Sequence, residues 1–100
     1  MLARGRVLWF DSKRGFGYIR EDGRSGKVFF HMNNLCVVIR GAHDKLTFGV
    51  SIVAAKQDAI NLPIVGESVV FEKVPGKKGF QANPWGFRPG WDVTDRWSSH

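Results

Sequence analysis

Aromatic rings and a histidine recur at alternate positions in two short stretches near the N-terminus. These residues are Phe16, Tyr18, Phe29 and His31. Because alternate side chains of an extended strand point to the same face, two paired strands would place these rings on one surface. Unpaired bases stack on such rings at roughly 1–3 kcal/mol per base, while neighbouring cations contact the phosphates. The spacing therefore indicates a surface for single-stranded nucleic acid.

The residues between the rings indicate which face is outside. Ile19, Val28 and Phe30 would form an ordinary core on the opposite face. The reversed arrangement, with the rings as the core, would leave these three apolar side chains in water and bury His31. Gly17 adds little bulk to the inner face, which suits the wall of a tightly curved barrel.

The charge balance favours a polyanionic partner. The 100 residues contain 15 Lys and Arg against 9 Asp and Glu, a net charge of +6, and the pI is about 10.0. Residues 1–31 hold most of this excess. A solvated surface that only maintains solubility is the alternative explanation. Duplex DNA suits the pattern less well, because no recognition helix is evident.

Five β-rich segments must position these residues. They are Gly5–Phe10, Gly15–Arg20, Lys27–His31, Glu67–Val74 and Phe80–Trp85, the last halted by Pro84. The sequences DGRSG at 22–26 and PGKKG at 75–79 are typical of turns. Short strands with such turns favour an all-β closed barrel, because closure removes exposed sheet edges.

Residues 32–65 interrupt this pattern. The stretches Leu35–Ile39 and Leu46–Val53 predict an added hairpin, and a short helix capped by Ser51 is the alternative for the second half. Three roles are open for the segment. It pads the open end of the barrel, forms a protein-interaction or homodimer surface, or joins the nucleic-acid groove through Phe48.

The rest of the composition argues against several classes of protein. The one cysteine, Cys36, leaves no disulfide framework and is expected to be buried rather than reactive. His43 and His100 have no partners at ligand spacing, so neither a metal nor a cofactor is predicted. Without clustered carboxylates or a nucleophile–base pair, an enzyme is not expected. With no signal peptide and no apolar run of ~18 residues, we expect a cytoplasmic protein without a membrane segment. Trp91 and Trp97 are expected to pack back on the domain, and additional stacking sites for bases are the alternative.

Two ordered motifs resemble those of a known family. WFDSKRGFGYI at 9–19, followed by VFFH at 28–31, resembles the two ribonucleoprotein motifs of the cold-shock domain. GESVVFEKVPGKKGFQANPW at 66–85 is similar to the last two strands of that family. The resemblance implies a five-stranded antiparallel OB-fold barrel. Residues 1–100 would be one domain, with strands 1–3 in 1–31, an insertion in 32–65, strands 4 and 5 in 66–85 and a C-terminal extension in 86–100.

The resemblance also implies a function and a set of contacts. The expected partner is single-stranded RNA or DNA, and the expected role is that of an RNA chaperone. The implied contacts are Trp9, Phe10, Arg14, Phe16, Tyr18, Phe29, His31 and Lys78. Further contacts are expected from Lys13, Lys27, Phe48, Lys77 and Phe80. Strand alternation places Trp9 and Phe10 on opposite faces, unless a bend or bulge brings both to the site.

Some positions depart from the family pattern. Leu8 stands where lysine is frequent, and Met32 stands where another aromatic residue is typical. Lys27 replaces a common acid, and Phe80 replaces a common proline. We expect binding to survive these changes with an altered footprint.

Overall fold

Seven β-strands make up most of the described part of this computed structural model, which comprises residues 2–52 and 62–89. The strands are β1 Leu2–Asp11, β2 Phe16–Glu21, β3 Lys27–His31, β4 Cys36–Arg40, β5 Leu46–Ser51, β6 Ser68–Gly76 and β7 Gly79–Phe87. Two short 3-10 turns, Met32–Asn34 and Ala42–Asp44, lie on either side of β4.

Five of these strands close into a barrel in the order β1-β2-β3-β7-β6. The predicted all-β five-stranded barrel is therefore confirmed. The pairs β1–β2, β2–β3, β1–β6 and β6–β7 are antiparallel, as expected. The closing pair β3–β7 is parallel, which corrects the expectation of a wholly antiparallel barrel. It joins strands distant in sequence, with the chain passing through β6 before β7 returns beside β3.

The inward-facing residues of β2 and β3 form part of the barrel core. Ile19, Val28 and Phe30 are all buried, as the alternation predicts. The Phe30 ring packs edge-on against buried Trp85, with 4.7 Å between ring centroids. Gly17 is also buried, and a Cβ at this position would collide with the carbonyl oxygen of Trp9. The wall is therefore too close to its neighbouring strand for any larger residue here.

Three barrel strands extend two or more residues beyond their predicted ends. β1 begins at Leu2 rather than Gly5, and β7 continues past Pro84 to Phe87 instead of ending at Trp85. Pro84 lies where the β6–β7 register shifts between Phe71 and Lys73. Proline is tolerated at such irregularities because no ladder hydrogen bond from its nitrogen is required. β6 likewise continues to Gly76.

A separate two-stranded sheet, β4–β5, forms the hairpin predicted within residues 32–65. It packs against β7, where a Cβ at Gly86 would collide with the Val38 side chain and lie 2.6 Å from the Cys36 carbonyl oxygen. At the base of the hairpin, buried Ile52 donates its N–H to the carbonyl of buried Leu35 over 2.9 Å. The hairpin is thus attached to the barrel by direct backbone approach and by a shared core.

Some predictions fall outside the described residues. The alternative helix would occupy the segment after Ser51, of which 53–61 is not described. The predicted packing of Trp91 and Trp97 also lies outside, as does His100.

Candidate functional site

Four aromatic rings form a continuous surface on the outer face of β1, β2 and β3. We call Trp9, Phe16, Tyr18 and Phe29 the ring cluster. The rings of Trp9 and Tyr18 are stacked at 6.0 Å between centroids, and those of Phe16 and Phe29 at 5.4 Å. Edge-on contacts of 5.7–6.5 Å join the two pairs. The strand register explains this arrangement, because Trp9 lies opposite Tyr18 and Tyr18 lies opposite Phe29.

A β-bulge at Leu8 decides which of two adjacent rings reaches this surface. Val7 pairs with Ile19, but the next β1 residue in register is Trp9, opposite Tyr18. Leu8 is thus an extra residue, and it reverses the alternation of the side chains that follow. Inward-facing Val7 is therefore followed by outward-facing Trp9.

Phe10 points into the barrel as a consequence of the same bulge. Its ring stacks on buried Phe30, with centroids 5.8 Å apart and planes 12° from parallel. The sequence left open whether a bulge would bring both Trp9 and Phe10 to the site. The structure does not bring Phe10 into the ring cluster.

His31 borders the ring cluster with its orientation set by hydrogen bonds. It pairs with Phe16 across β2 and β3. Its Nδ1 accepts a hydrogen bond from the backbone N–H of Asn33 over 3.0 Å, so the neutral ring carries its proton on Nε2. The Trp85 indole N–H donates to the His31 carbonyl over 2.8 Å. In this tautomer His31 presents Nε2 as a hydrogen-bond donor.

A groove of about 870 Å³ separates the ring cluster from the tip of the β6–β7 hairpin. Rings of β2 and β3 line one side, and the turn residues line the other. The predicted contacts along the groove are Phe16, Tyr18, Lys27, Phe29, Lys77, Lys78 and Phe80. Phe80 is 52% exposed, and the Lys73 ammonium lies 4.8 Å from its ring centroid. Aromatic and cationic groups therefore face each other across the groove.

Two predicted cations lie in the turn between β1 and β2. Asp11 shapes this turn, because its Oδ1 accepts the backbone N–H groups of Lys13 and Arg14 over 3.0 and 3.3 Å. The Arg14 side chain is 76% exposed, with Nε 3.9 Å from the Asp11 carboxylate. The exposed guanidinium is therefore accessible to an anion. Its ion pair with Asp11 is of the surface kind that contributes little to stability.

Phe48, one of the residues predicted to extend the site, lies elsewhere. It sits on β5 and lines a separate depression of about 510 Å³ with Leu2, Arg4 and Glu72. The hairpin that carries it packs on β7. Phe48 is thus not among the residues that line the groove beside the ring cluster.

Two exposed arginines beside the ring cluster, Arg6 and Arg20, are absent from the predicted contacts. Arg6 pairs with Arg20 across β1 and β2, and Arg20 pairs with Lys27 across β2 and β3. All three residues are exposed on the outer face. The signal was present, because Arg20 is two residues beyond Tyr18 in the same alternation that identified the rings.

The other side chains and elements of the described residues bear on three features: a metal site, a reactive thiol and a membrane-spanning helix. Across residues 2–52 and 62–89, no three His, Cys, Asp or Glu side chains converge as metal ligands. Cys36 is half-buried rather than fully buried, and burial raises the pKa of its thiol. Among the described residues there is no helix with the length and apolar character needed to span a bilayer.

Comparison with known proteins matches this sequence to a family. Residues 3–84 match the family model of the "'Cold-shock' DNA-binding domain". A cold shock-like protein of Thermotoga maritima is 34% identical over 79 residues, 79% of this chain and 88% of its own. Cold shock-like protein CspA of Stigmatella aurantiaca is 31% identical over 81 residues, covering 81% and 90% of the two chains. Cold shock protein ScoF of Streptomyces coelicolor is 47% identical over 34 residues, about half its length (51%).

A solved structure shares the fold. The structure described as Drosophila Unr CSD456 superposes with a TM-score of 0.56 at 17% sequence identity. The match covers 90% of this chain and 28% of the other.

Proposed function

Because this chain belongs to the cold-shock domain family, whose members generally bind nucleic acid, we propose that it binds single-stranded RNA or DNA through the ring cluster. In this proposal it acts as an RNA chaperone and catalyses no reaction. Successive unpaired bases stack on the rings, while the cations of the groove contact the phosphates.

The observation that carries the proposal is the exposure of four contiguous rings on one barrel face. Trp9 is 47% exposed, and the other three rings are half-buried against one another. Such a surface costs free energy in water and is uncommon without a ligand. Lys27, Lys77 and Lys78 line the adjoining groove, so the surface combines the two elements that single strands require.

The free energies of base stacking favour a protein that holds short strands open rather than one that melts long duplexes. Stacking on a ring contributes roughly 1–3 kcal/mol per base. A duplex loses about 1.4 kcal/mol for each base-pair step that opens. Capture of two or three bases therefore offsets the opening of a short or weak hairpin but not of a long helix. This balance is what the role of an RNA chaperone requires.

Binding is tested with fluorescently labelled dT7 and U7 at 50 mM salt, followed by anisotropy. The Phe16→Ala/Phe29→Ala variant removes two stacking surfaces, which is about 2–6 kcal/mol and at least about 30-fold in Kd. Phe48→Ala is the matched aromatic control and should retain the affinity of the unmodified protein. Absence of binding to both oligonucleotides, or equal affinity of the double variant and the control, would refute the proposal.

The chaperone role needs a separate measurement. An RNA hairpin with a fluorophore and a quencher at its ends should brighten when the protein is added, and lengthening its stem should abolish the effect. If the protein binds U7 tightly but leaves even a three-base-pair stem closed, the chaperone part of the proposal is wrong.

A second candidate function uses the hairpin as a protein-interaction or dimerisation surface. Ile39 and Val50 are 50% and 55% exposed on β4 and β5, which favours this alternative. Sedimentation with and without oligonucleotide separates the two functions. A stable dimer that ignores both nucleic acid and the loss of the ring cluster would support the alternative.

A further inference from the structure

A depression between the hairpin and the barrel runs along the outer edge of β5. Three consecutive residues of β5, Leu46, Thr47 and Phe48, line this depression of about 510 Å³, whereas none of the described residues of β4 does. Consecutive side chains point to opposite faces of a strand, so a depression that touches all three follows the strand edge. Leu2 and Arg4 of β1 also line it. We call this depression the edge cleft.

Backbone groups of β5 point into the edge cleft. The Gly41 N–H donates to the Lys45 carbonyl over 2.7 Å, which makes these two residues a hydrogen-bonded pair at the turn. Bonded and non-bonded pairs alternate in an antiparallel ladder, so the next bonded residue of β5 is Thr47. The N–H and C=O groups of Leu46 and Phe48 therefore point away from β4. Within residues 2–52 and 62–89, β5 pairs with no strand other than β4, so this edge is a template for a further strand.

Apolar side chains line the edge cleft. Phe48 lies directly opposite Val38, and Val38 is the hairpin residue whose side chain approaches Gly86 of β7. Directly opposite residues share a face of a sheet, so the Phe48 ring points towards the barrel. Leu46 of β5 and Leu2 of β1 lie beside it, and all three side chains are half-buried. A strand bound in the cleft would remove more of this apolar surface from water.

The charge around the edge cleft is positive. Arg4 and Lys45 are exposed, and in the described part of the chain neither side chain forms an ion pair. Asp44 also lines the cleft, but its carboxylate is bound by Arg40 over 3.1 Å. Glu72 is the other acid of the lining. With Arg40 included, three cations surround two acids, so an acidic ligand is favoured over a basic one.

We propose that the edge cleft binds an extended acidic segment of a partner protein, which adds to β5 as a third strand of the β4–β5 sheet. Main-chain hydrogen bonds to Leu46 and Phe48 hold the segment, and its alternate side chains give specificity. Apolar side chains of the segment contact Phe48 and Leu2, and acidic ones reach Arg4 and Lys45. A nucleic acid uses a ring and cations but does not pair with a strand edge, so the three features together favour a protein segment.

The edge cleft is separate from the nucleic-acid site of the proposed function. No residue lines both the edge cleft and the groove beside the ring cluster. The ligand is also of another class, a protein rather than a nucleic acid. The same molecule therefore holds a single strand on one surface and a protein segment on another.

The test titrates ¹⁵N-labelled protein with the peptide EVEVEVE and follows the amide resonances, whose dispersion also shows that each variant is folded. Resonances of β5 and of the first residues of β1 should shift, and hydrogen exchange of β5 should slow. The Arg4→Gln/Lys45→Gln variant loses two surface charge contacts, which should raise Kd about 2- to 30-fold. Arg20→Gln/Arg24→Gln removes the same charge elsewhere and is the matched control, with an unchanged Kd.

Two control peptides separate strand addition from general attraction to a basic protein. KVKVKVK has the wrong charge, and EVEVEVE methylated on every backbone nitrogen cannot donate hydrogen bonds to β5. Neither should shift the β5 resonances. The Phe16→Ala/Phe29→Ala variant should bind EVEVEVE as the unmodified protein does, because the ring cluster takes no part.

The proposal is overturned if EVEVEVE leaves the β5 resonances unmoved up to about 1 mM, the weak end of specific binding, or shifts only those of the ring cluster. It is also overturned if a control peptide shifts β5 equally. Shifts of β5 caused by dT7 would identify a nucleic acid as the occupant, and shifts caused by protein concentration alone would identify a second copy of this chain. If EVEVEVE binds at β5 while dT7 does not bind at all, the proposed function fails and this inference stands.

Discussion

Substitution of two neighbouring aromatic residues should have opposite consequences because of the bulge at Leu8. Trp9 faces outward in the ring cluster, and Phe10 faces inward onto Phe30. We predict that Trp9→Ala weakens nucleic-acid binding while leaving the fold almost as stable. Phe10→Ala should instead lower the free energy of unfolding and leave the affinity almost unchanged.

The structure gives the expected size of each effect. Removal of one stacking ring costs about 1–3 kcal/mol of binding free energy, which is about 5- to 150-fold in Kd. Trp9 also contacts Phe16 and Tyr18, and the loss of such contacts at an exposed position costs about 1 kcal/mol of stability. A fully buried phenylalanine loses about 3–5 kcal/mol on truncation to alanine, so half-buried Phe10 should lose about 2 kcal/mol.

Affinity and stability are measured on both Trp9→Ala and Phe10→Ala. Anisotropy of labelled dT7 gives the affinity, measured where each variant is fully folded. Urea unfolding followed by circular dichroism gives the stability without relying on the fluorescence of Trp9. The assignment of Phe10 to the inside of the barrel is refuted if Phe10→Ala weakens binding more than tenfold at unchanged stability. It is equally refuted if Trp9→Ala lowers stability as much as Phe10→Ala does.

Two further predictions concern the hairpin. Gly86→Ala should lower the free energy of unfolding by about 1–3 kcal/mol, because the added methyl group collides with Val38 and the Cys36 carbonyl. Urea unfolding measures this loss of stability. The double variant Gly86→Ala/Val38→Ala should recover part of it. If Gly86→Ala alone has the same unfolding midpoint as the unmodified protein, the close packing is contradicted. Burial raises the pKa of the Cys36 thiol above its ordinary value of 9.0, so the folded protein holds this proton more tightly than the unfolded chain does. The resulting stabilisation of the folded state is complete below pH 9 and is lost as pH rises through the pKa of the folded state. Urea unfolding of Cys36→Ala between pH 7 and 10 should not show this loss of stability. Identical pH profiles of the variant and the unmodified protein would exclude the effect.

Much of the barrel was predictable because its signals are local. Alternation along β2 and β3 identified Ile19, Val28 and Phe30 as core residues and placed Phe16 and Phe29 on the opposite face. The Gly-rich turns located the strand ends to within a few residues. The motifs that resemble the cold-shock domain then identified the family, which the match over residues 3–84 confirms.

The strand ends and the position of the hairpin were less predictable because they depend on distant partners. Pro84 normally ends a strand, yet β7 continues to Phe87 because the proline falls at a register shift opposite β6. Phe48 was a reasonable candidate for the groove by residue type alone. It lies instead in a separate depression with Leu2, Arg4 and Glu72, because the hairpin packs on β7, and no local pattern encodes that packing.

The chain by itself determined the chemistry of the surface, because ring type, charge and two-residue spacing are properties of consecutive residues. It determined that rings and cations would share a face of β2 and β3. Tertiary structure decided how the strands align, since register is set by packing between segments distant in sequence. The extra residue Leu8 turns Trp9 outward and Phe10 inward, and the pairing of β1, β2 and β3 brings Arg6, Arg20 and Lys27 into one row. A sequence pattern can give each strand its faces, but only the closed barrel determines which residues lie side by side.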